Sequence, residues 1–368
     1  MNYFDHIRTI ACLGVIYMHT AAGLLHGQLG REWAAANILT GLAFTAVPLF
    51  LMMSGYLLLS DDKTLDVSVL LKKRIPRLLV PLAFWTFLEL FRKQIACGVP
   101  FGGMMLRNLW TDLVSALSEP VITPLWYMYT LLAIYLISPL LRGGIKQLDS
   151  KGHRFVLCLI LLINLRYILL LFLPEFGRKY LKIDLFSKLE FFGGHLCTFV
   201  LGYYLGNTKR KLPNWLLLTA AGFLAALIIA GTYIISMRAG EYQADFQNQS
   251  HGLEVLLASC VFLLFKQNAD KPCAITRVIA QLSLPMYLMH GTLYNIFSSI
   301  GLQADTLWQV LLLTVTNFAV CYLITKTLAT IKPLCYPATG MRFEAASRSC
   351  NWIYSARKIR SRLSEKKK

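Results

Sequence analysis

Ten apolar stretches, each about 17–25 residues long, recur through the chain, and a backbone carrying them has few ways to satisfy itself. They fall at approximately 7–26, 36–59, 76–95, 123–141, 155–173, 190–206, 215–236, 252–266, 275–298 and 307–331. Inside lipid each peptide group must find its partner within the segment, so helices are the expected solution. The sequence therefore predicts an all-α, polytopic integral membrane protein with about ten transmembrane helices. Of its 368 residues 56% are hydrophobic, and the mean hydropathy is +0.53, beyond the usual range of a soluble domain. No small-residue cleavage site follows the first stretch, so it is expected to remain as a helix. Residues 100–120, only moderately apolar and holding Trp110, are expected to lie on the membrane or to re-enter it.

The net charge of +18 does not argue for nucleic acid, because membrane proteins gather Lys and Arg in cytoplasmic loops and against anionic headgroups. With an inside amino terminus, the inner loops hold Lys63, Lys72, Lys73, Arg74, Arg77, Arg142, Lys146, Lys151, Arg154, Lys209, Arg210, Lys211, Lys266, Lys271 and Arg277. The outer loops hold fewer, and four of those, Arg178, Lys179, Lys182 and Lys188, sit in one loop against the trend. The bias predicts a multi-pass protein of the inner (cytoplasmic) cell membrane with both termini in the cytoplasm. It also divides the chain into a membrane domain, 1–335, and a basic cytoplasmic tail, 336–368. That tail, with Arg357, Lys358, Arg360, Arg362, Trp352 and Tyr354, is either disordered or rests on the inner leaflet.

Ionisable residues inside apolar stretches are costly, about 2.5–3.5 kcal/mol each at mid-depth, and mark candidate functional positions. The first stretch contains Arg8 and His19. Eleven residues are close to three turns, so both project from nearly the same face, about 16 Å apart along the axis. A neutral imidazole at that depth either makes a structural hydrogen bond or takes a proton from a hydroxyl nucleophile. The run Lys72-Lys73-Arg74-Ile75-Pro76-Arg77 reads as an ordinary basic loop or as a clamp for a phosphorylated ligand. His290, with Tyr287 one turn earlier and Pro285 as a kink site, suits packing or a hydrogen bond to substrate. Trp126 fits an interfacial aromatic belt or a sugar-stacking platform. Glu190, His195, Glu254 and Arg166 are expected to form ion pairs among themselves, and Glu89 lies at similar depth. His6, His26, His153 and His251 fall near span ends, where solvated roles suffice. The nine cysteines are scattered without a CxxC pair, and no Walker loop, GxSxG or HExxH is present, so no metal site is expected. The spacing Gly202–Gly206 is a common packing feature of membrane helices.

Taken together these residues resemble the signature of acyltransferase family 3, polytopic membrane enzymes that O-acetylate surface carbohydrates. Arg8 and His19 match its first-helix pattern. Pro48-Leu49-Phe50-Leu51-Met52-Met53-Ser54-Gly55-Tyr56-Leu57 is similar to its second-helix motif. Arg74-Ile75-Pro76-Arg77-Leu78 with Pro81 is similar to its basic inner-loop motif, and Ser283-Leu284-Pro285-Met286-Tyr287-Leu288-Met289-His290 to its late-helix motif. Pro124-Leu125-Trp126-Tyr127 and Ile137-Ser138-Pro139-Leu140 look most like the branch that acetylates enterobacterial common antigen. The usual Asp-Gly-Leu-Arg opening is here Asp5-His6-Ile7-Arg8.

The resemblance implies ten core spans, no bound cofactor, and acyl-CoA, usually acetyl-CoA, as donor substrate. It implies His19 as general base and Arg8, Arg74 and Arg77, with Lys73 in the same run, as donor-phosphate ligands. Trp126, Tyr287 and His290 complete the expected substrate-binding set. The acceptor is expected to be a hydroxyl of an envelope glycan or a lipid-linked sugar. The hydrolase-like domain of some members is not found here, so a second transfer would need another protein; a homo-oligomer is compatible with the sequence. The rival reading is a glycolipid or polysaccharide exporter without chemistry, and a third is a membrane sensor that binds donor without turnover.

Overall fold

The computed structural model describes residues 1–173, 194–250 and 252–365, and among these it is all-helical, with 81% helix and no strand. In chain order the helices are α1 (Asn2–Leu25), α2 (Arg31–Ala43), α3 (Ala46–Leu59), α4 (Ile75–Ala96), α5 (Gly103–Ser115), α6 (Trp126–Gln147), α7 (Ser150–Phe172) and α8 (His195–Asn207). They continue as α9 (Asn214–Ala239), α10 (Leu253–Asn268), α11 (Ala274–Ser299), α12 (Leu307–Leu328), α13 (Lys332–Thr339), α14 (Phe343–Ser349) and α15 (Trp352–Glu365). A π-helical turn, Leu70–Arg74, leads into α4.

Six of these segments are long and apolar enough to cross a bilayer: Asn2–Leu25, Arg31–Leu59, Thr123–Gln147, Ser150–Phe172, Asn214–Ala239 and Leu307–Leu328. The other four expected spans differ for identifiable reasons. α4 is long enough but carries Arg77, Glu89, Arg92 and Lys93. α10 has 16 residues and the described α8 has 13. α11 is 26 residues long but holds Arg277, Gln281, His290 and Asn295. The expected span 190–206 begins in residues outside the described set, as does Glu190. The expected span 36–59 is interrupted. Pro48 lacks the amide that would bond the Phe44 carbonyl, and the helix breaks at Phe44–Thr45, where Thr45 Oγ1 donates to the Leu42 carbonyl at 2.6 Å.

The chain divides into two compact units. The first comprises Met1–Val67, Ile137–Thr276 and Ala304–Thr314. Its core joins Tyr3, Phe4 and Ile7 of α1 to Leu49, Met52 and Met53 of α3 and to Val255, Ala258 and Phe262 of α10. α3 and α8 meet backbone to backbone: a Cβ on Gly55 would overlap the Phe199 carbonyl, one on Gly202 the Met52 backbone, and one on Gly206 the Tyr56 ring. Such close approach is how small residues hold helices together where lipid gives no hydrophobic drive. A second cluster packs Tyr17, Ala21, Leu24 and Leu25 of α1 around Trp33, which is fully buried and donates from Nε1 to the Leu25 carbonyl at 3.1 Å.

The second unit comprises Ser68–Leu136, Arg277–Gln303 and Val315–Lys368. Here α5 lies on α4 through Leu90, Met105 and Leu109, and leaves Leu106, Trp110, Leu113 and Leu117 exposed. The first three are spaced i, i+4, i+7 within α5, one outward stripe of the kind a membrane surface covers. The carboxy-terminal helices are docked: Trp85 Nε1 donates to the Ala338 carbonyl at 2.9 Å, and Asn351 Nδ2 to the Ala329 carbonyl at 3.1 Å.

Candidate active site

α1 presents Arg8 and His19 within the first unit. Both are half-buried. On the helical wheel they share a direction with Phe4, Cys12 and Val15, which are 3%, 1% and 2% exposed, while Ile10 and Leu13 on the other side are 52% and 40% exposed. The arginine and the imidazole thus occupy the protein-facing side of α1 and not its lipid-facing side. The amino-terminal turn that carries Arg8 is pinned: the Asn2 amide donates to Asp270 Oδ1 at 2.8 Å, His6 Nε2 donates to the Lys271 carbonyl at 2.9 Å, and Thr9 Oγ1 donates to the Asp5 carbonyl at 2.8 Å. At the other end Thr20 Oγ1 meets Thr314 Oγ1 at 2.5 Å. Gly14, midway, lets α1 approach Ala43 and Ala46 at 3.4 Å.

In the second unit, Lys73 and Arg74 end the π-helical turn and Arg77 stands in the first turn of α4. Arg74 is half-buried, and Lys73 and Arg77 are exposed. Single π turns widen a helix by one residue and are common at functional positions. Pro81 cannot donate to the Arg77 carbonyl as a helical residue would. Gly340, in the left-handed region at φ 68°, comes so close there that a Cβ would overlap that carbonyl oxygen. The end of α13 is therefore seated on the arginine-bearing turn. Nothing in the local sequence around Arg77 signals this contact.

The second unit also unites two motifs far apart in the chain. Tyr287 Oη donates to the Pro124 carbonyl. Tyr127 and Tyr287 rings meet edge-on at 5.7 Å, and Trp126 packs edge-on against Tyr127 at 6.1 Å. A Cβ on Gly291 would stand 2.9 Å from Ile122 Cδ1 and 3.0 Å from Pro124 Cγ. Trp126 is half-buried, Tyr287 and His290 are buried. His290 donates from Nδ1 to the Tyr287 carbonyl of its own helix. Its own carbonyl accepts from Asn317 Nδ2 at 3.2 Å. The sequence leaves packing and substrate contact open for His290, and this buried surround is compatible with either.

The remaining intramembrane charges resolve differently from expectation. Glu89 accepts a two-pronged bond from Arg92, 2.9 and 2.7 Å, and a third from Asn295 at 3.2 Å. Arg166 lies over the Tyr167 ring at 5.1 Å, and His195 Nε2 meets Ser250 Oγ at 3.2 Å. Glu254 is fully buried, and neither carboxylate oxygen has a hydrogen-bond partner among the described residues. The expected pairing of Glu254 with Arg166 or His195 is therefore not formed, and Glu190, the other member of the expected set, lies outside the described residues. Sequence reading missed Asn295 and Asn317. Their signal was a carboxamide inside an apolar helix, which demands a partner. Among the described residues no group of His, Cys, Asp and Glu could hold a metal ion.

No curated protein and no solved structure matches the chain. The pattern of acyltransferase family 3, described as an acyltransferase domain, matches residues 1–326. This stretch includes the α1 arginine and histidine, the Lys73–Arg77 turn and the Tyr287–His290 helix, and it ends just before α13. A multi-pass, all-helical chain with that match belongs to acyltransferase family 3, and acts as a membrane acyltransferase.

Proposed function

We propose that this acyltransferase moves an acetyl group from cytoplasmic acetyl-CoA to a hydroxyl of a cell-envelope glycan or lipid-linked sugar, working in the inner membrane with both termini in the cytoplasm. The observation that carries the reading is the α1 stripe, on which Arg8 and His19 are both half-buried on the protein-facing side. A group that exchanges protons with substrate needs an accessible ring edge, and a group that holds phosphate needs a fixed charge. The family resemblance, rather than geometry, assigns Arg8, Arg74, Arg77 and Lys73 to the donor's phosphates, and Trp126 is assigned to the sugar as a stacking surface.

In the reaction His19 accepts the acceptor's hydroxyl proton as its oxygen attacks the thioester carbonyl carbon. The tetrahedral intermediate collapses, the carbon–sulfur bond breaks, and the CoA thiolate takes the proton back from the imidazolium. The products are an O-acetyl ester and free CoA, with no net proton change. The two-substrate arrangement lets each reactant be held before chemistry, so that the barrier is lowered by positioning as well as by proton transfer.

The test uses purified protein in liposomes, radiolabelled acetyl-CoA and an extract of envelope glycans. Labelled ester with equimolar free CoA supports the proposal. Transport of glycan without label transfer would replace it with the exporter reading. Binding of acetyl-CoA without turnover would replace it with the sensor reading. The resemblance to the enterobacterial common antigen branch makes that glycan the first acceptor to try.

A further inference from the structure

The family match ends at residue 326, yet the chain continues into three ordered helices, and the last has a face that nothing in the described structure covers. In α15, Trp352, Ala356 and Ile359 are spaced i, i+4, i+7 and share one side. Trp352 is 41% exposed and Ile359 is 59% exposed. Trp352 remains open although Lys326 Nζ lies 4.1 Å over its ring and its Nε1 donates to Thr327 Oγ1 at 3.1 Å. Ile353 and Tyr354, on other sides of the helix, are half-buried.

Charge identifies the occupant. The helix carries Arg357, Lys358, Arg360 and Arg362 against a single Glu365, and Lys366, Lys367 and Lys368 follow it. Of these, Arg357 is exposed, and Lys358 is half-buried with its Nζ 5.8 Å over the Tyr354 ring. Exposed Arg342 and Arg348 lie in and just before α14. An exposed apolar stripe on a helix this rich in cations matches a sheet of anionic headgroups over acyl chains: the stripe enters the chain boundary while long basic side chains reach the phosphates. A protein partner would need an acidic groove. A second copy of this helix would repel the first, since both carry the same positive charge.

We propose that α15 is an anionic-lipid-binding helix, an interfacial anchor added beyond the acyltransferase domain. Through α14 and α13 it is continuous with Gly340, which is seated on the Arg77 carbonyl. The anchor therefore holds one end of the element that braces the arginine-bearing turn. The proposal does not depend on acyl transfer, and its test reads no activity.

Full-length protein is placed in nanodiscs of phosphatidylcholine alone, in nanodiscs that also contain phosphatidylglycerol, and in non-ionic detergent micelles. Hydrogen–deuterium exchange is followed over residues 352–365, with α13 as the internal control. Exchange across α15 is expected to be about tenfold slower in the anionic discs than in the other two, with α13 unchanged. Ile359→Asp should abolish that difference, and Arg360→Gln combined with Arg362→Gln should reduce it without altering the fold. Equal exchange in both kinds of disc overturns the proposal. So does equally slow exchange in detergent, which would mean that α15 packs on protein. Persistence of the difference in Ile359→Asp also overturns it.

Discussion

His19 and His290 both stand inside apolar helices of this protein, and their surroundings differ. His290 in α11 is fully buried. Its Nδ1 is committed to the carbonyl one turn back, and Tyr287, Tyr127 and Pro124 close around that turn. His19 in α1 is only half-buried, on a face whose neighbouring positions Cys12 and Val15 are closed. A buried imidazole bonded to its own backbone is expected to contribute hydrogen bonding and volume, and a half-buried one on a protein-facing stripe to meet a reactant. Residue type is the same in both; burial differs.

The largest effect follows directly. His19→Ala should lower acetyl transfer by about a thousandfold, within the span usual for loss of a general acid–base group, while the protein remains inserted with an unchanged unfolding midpoint. Release of free CoA and of glycan-bound acetate measures the first, and thermal unfolding in detergent measures the second. Near-normal turnover in this variant would erase the distinction between the two helices. The mirror experiment is His290→Ala. It should cost about 2–3 kcal/mol of stability, from a cavity together with lost hydrogen bonds, and should leave turnover of the remaining folded protein within a few-fold. A variant that is stable but inactive would move His290 to the chemical side of the comparison.

The donor clamp sharpens the same contrast from the binding side. Arg74→Ala or Arg77→Ala should weaken acetyl-CoA binding by about tenfold, the loss of roughly one charge-assisted contact. Turnover at saturating donor should change less, because such a residue holds ground state and transition state alike. Calorimetric titration with acetyl-CoA gives the first quantity and saturation kinetics the second. Unchanged affinity would return Lys73, Arg74 and Arg77 to the status of an ordinary basic loop.

What the sequence made legible, and what it did not, follows the range of the interactions involved. The shared face of Arg8 and His19 could be read because helical periodicity is local, and the structure adds only that this face is the protein-facing one. The break within 31–59 was readable in principle from Pro48. The docking of Pro124 on Tyr287 was not, since a contact between residues so distant in the chain leaves no local pattern. Gly340 carried no hint of Arg77 for the same reason. Gly202 and Gly206, dismissed as generic spacing, receive Met52 and Tyr56 from the very segment that holds Ser54 and Gly55. That motif is therefore explained, in this structure, by helix packing. The pairing expected of Glu254 rests on depth alone, and depth does not fix which neighbour a buried charge meets.

The smallest expected effect supplies the baseline for the comparison, an ion pair in solvent contact between a turn and the last residues of an apolar helix. Asp62, in the turn after α3, accepts from Arg142 Nη2 at 2.8 Å and from Lys146 Nζ at 3.1 Å. The Arg142 hydrogen bond first, and then Lys146, hold its carboxyl below the usual carboxylate range. A folded-state value below the unfolded one means the pair stabilises the fold while the unfolded carboxylate is ionised, and this is lost as the pH falls through the folded value. Asp62→Asn should therefore lower the unfolding midpoint slightly at neutral pH, and the gap from the parent should close in acid, starting below about pH 4. Added salt should shrink it as well, because the carboxylate is 63% exposed and its field is screened. Acetyl transfer should not change. If the gap instead widened in acid, Asp62 would be stabilising the fold in its protonated form, and solvent exposure would be a poor guide to which polar groups in this protein carry structure.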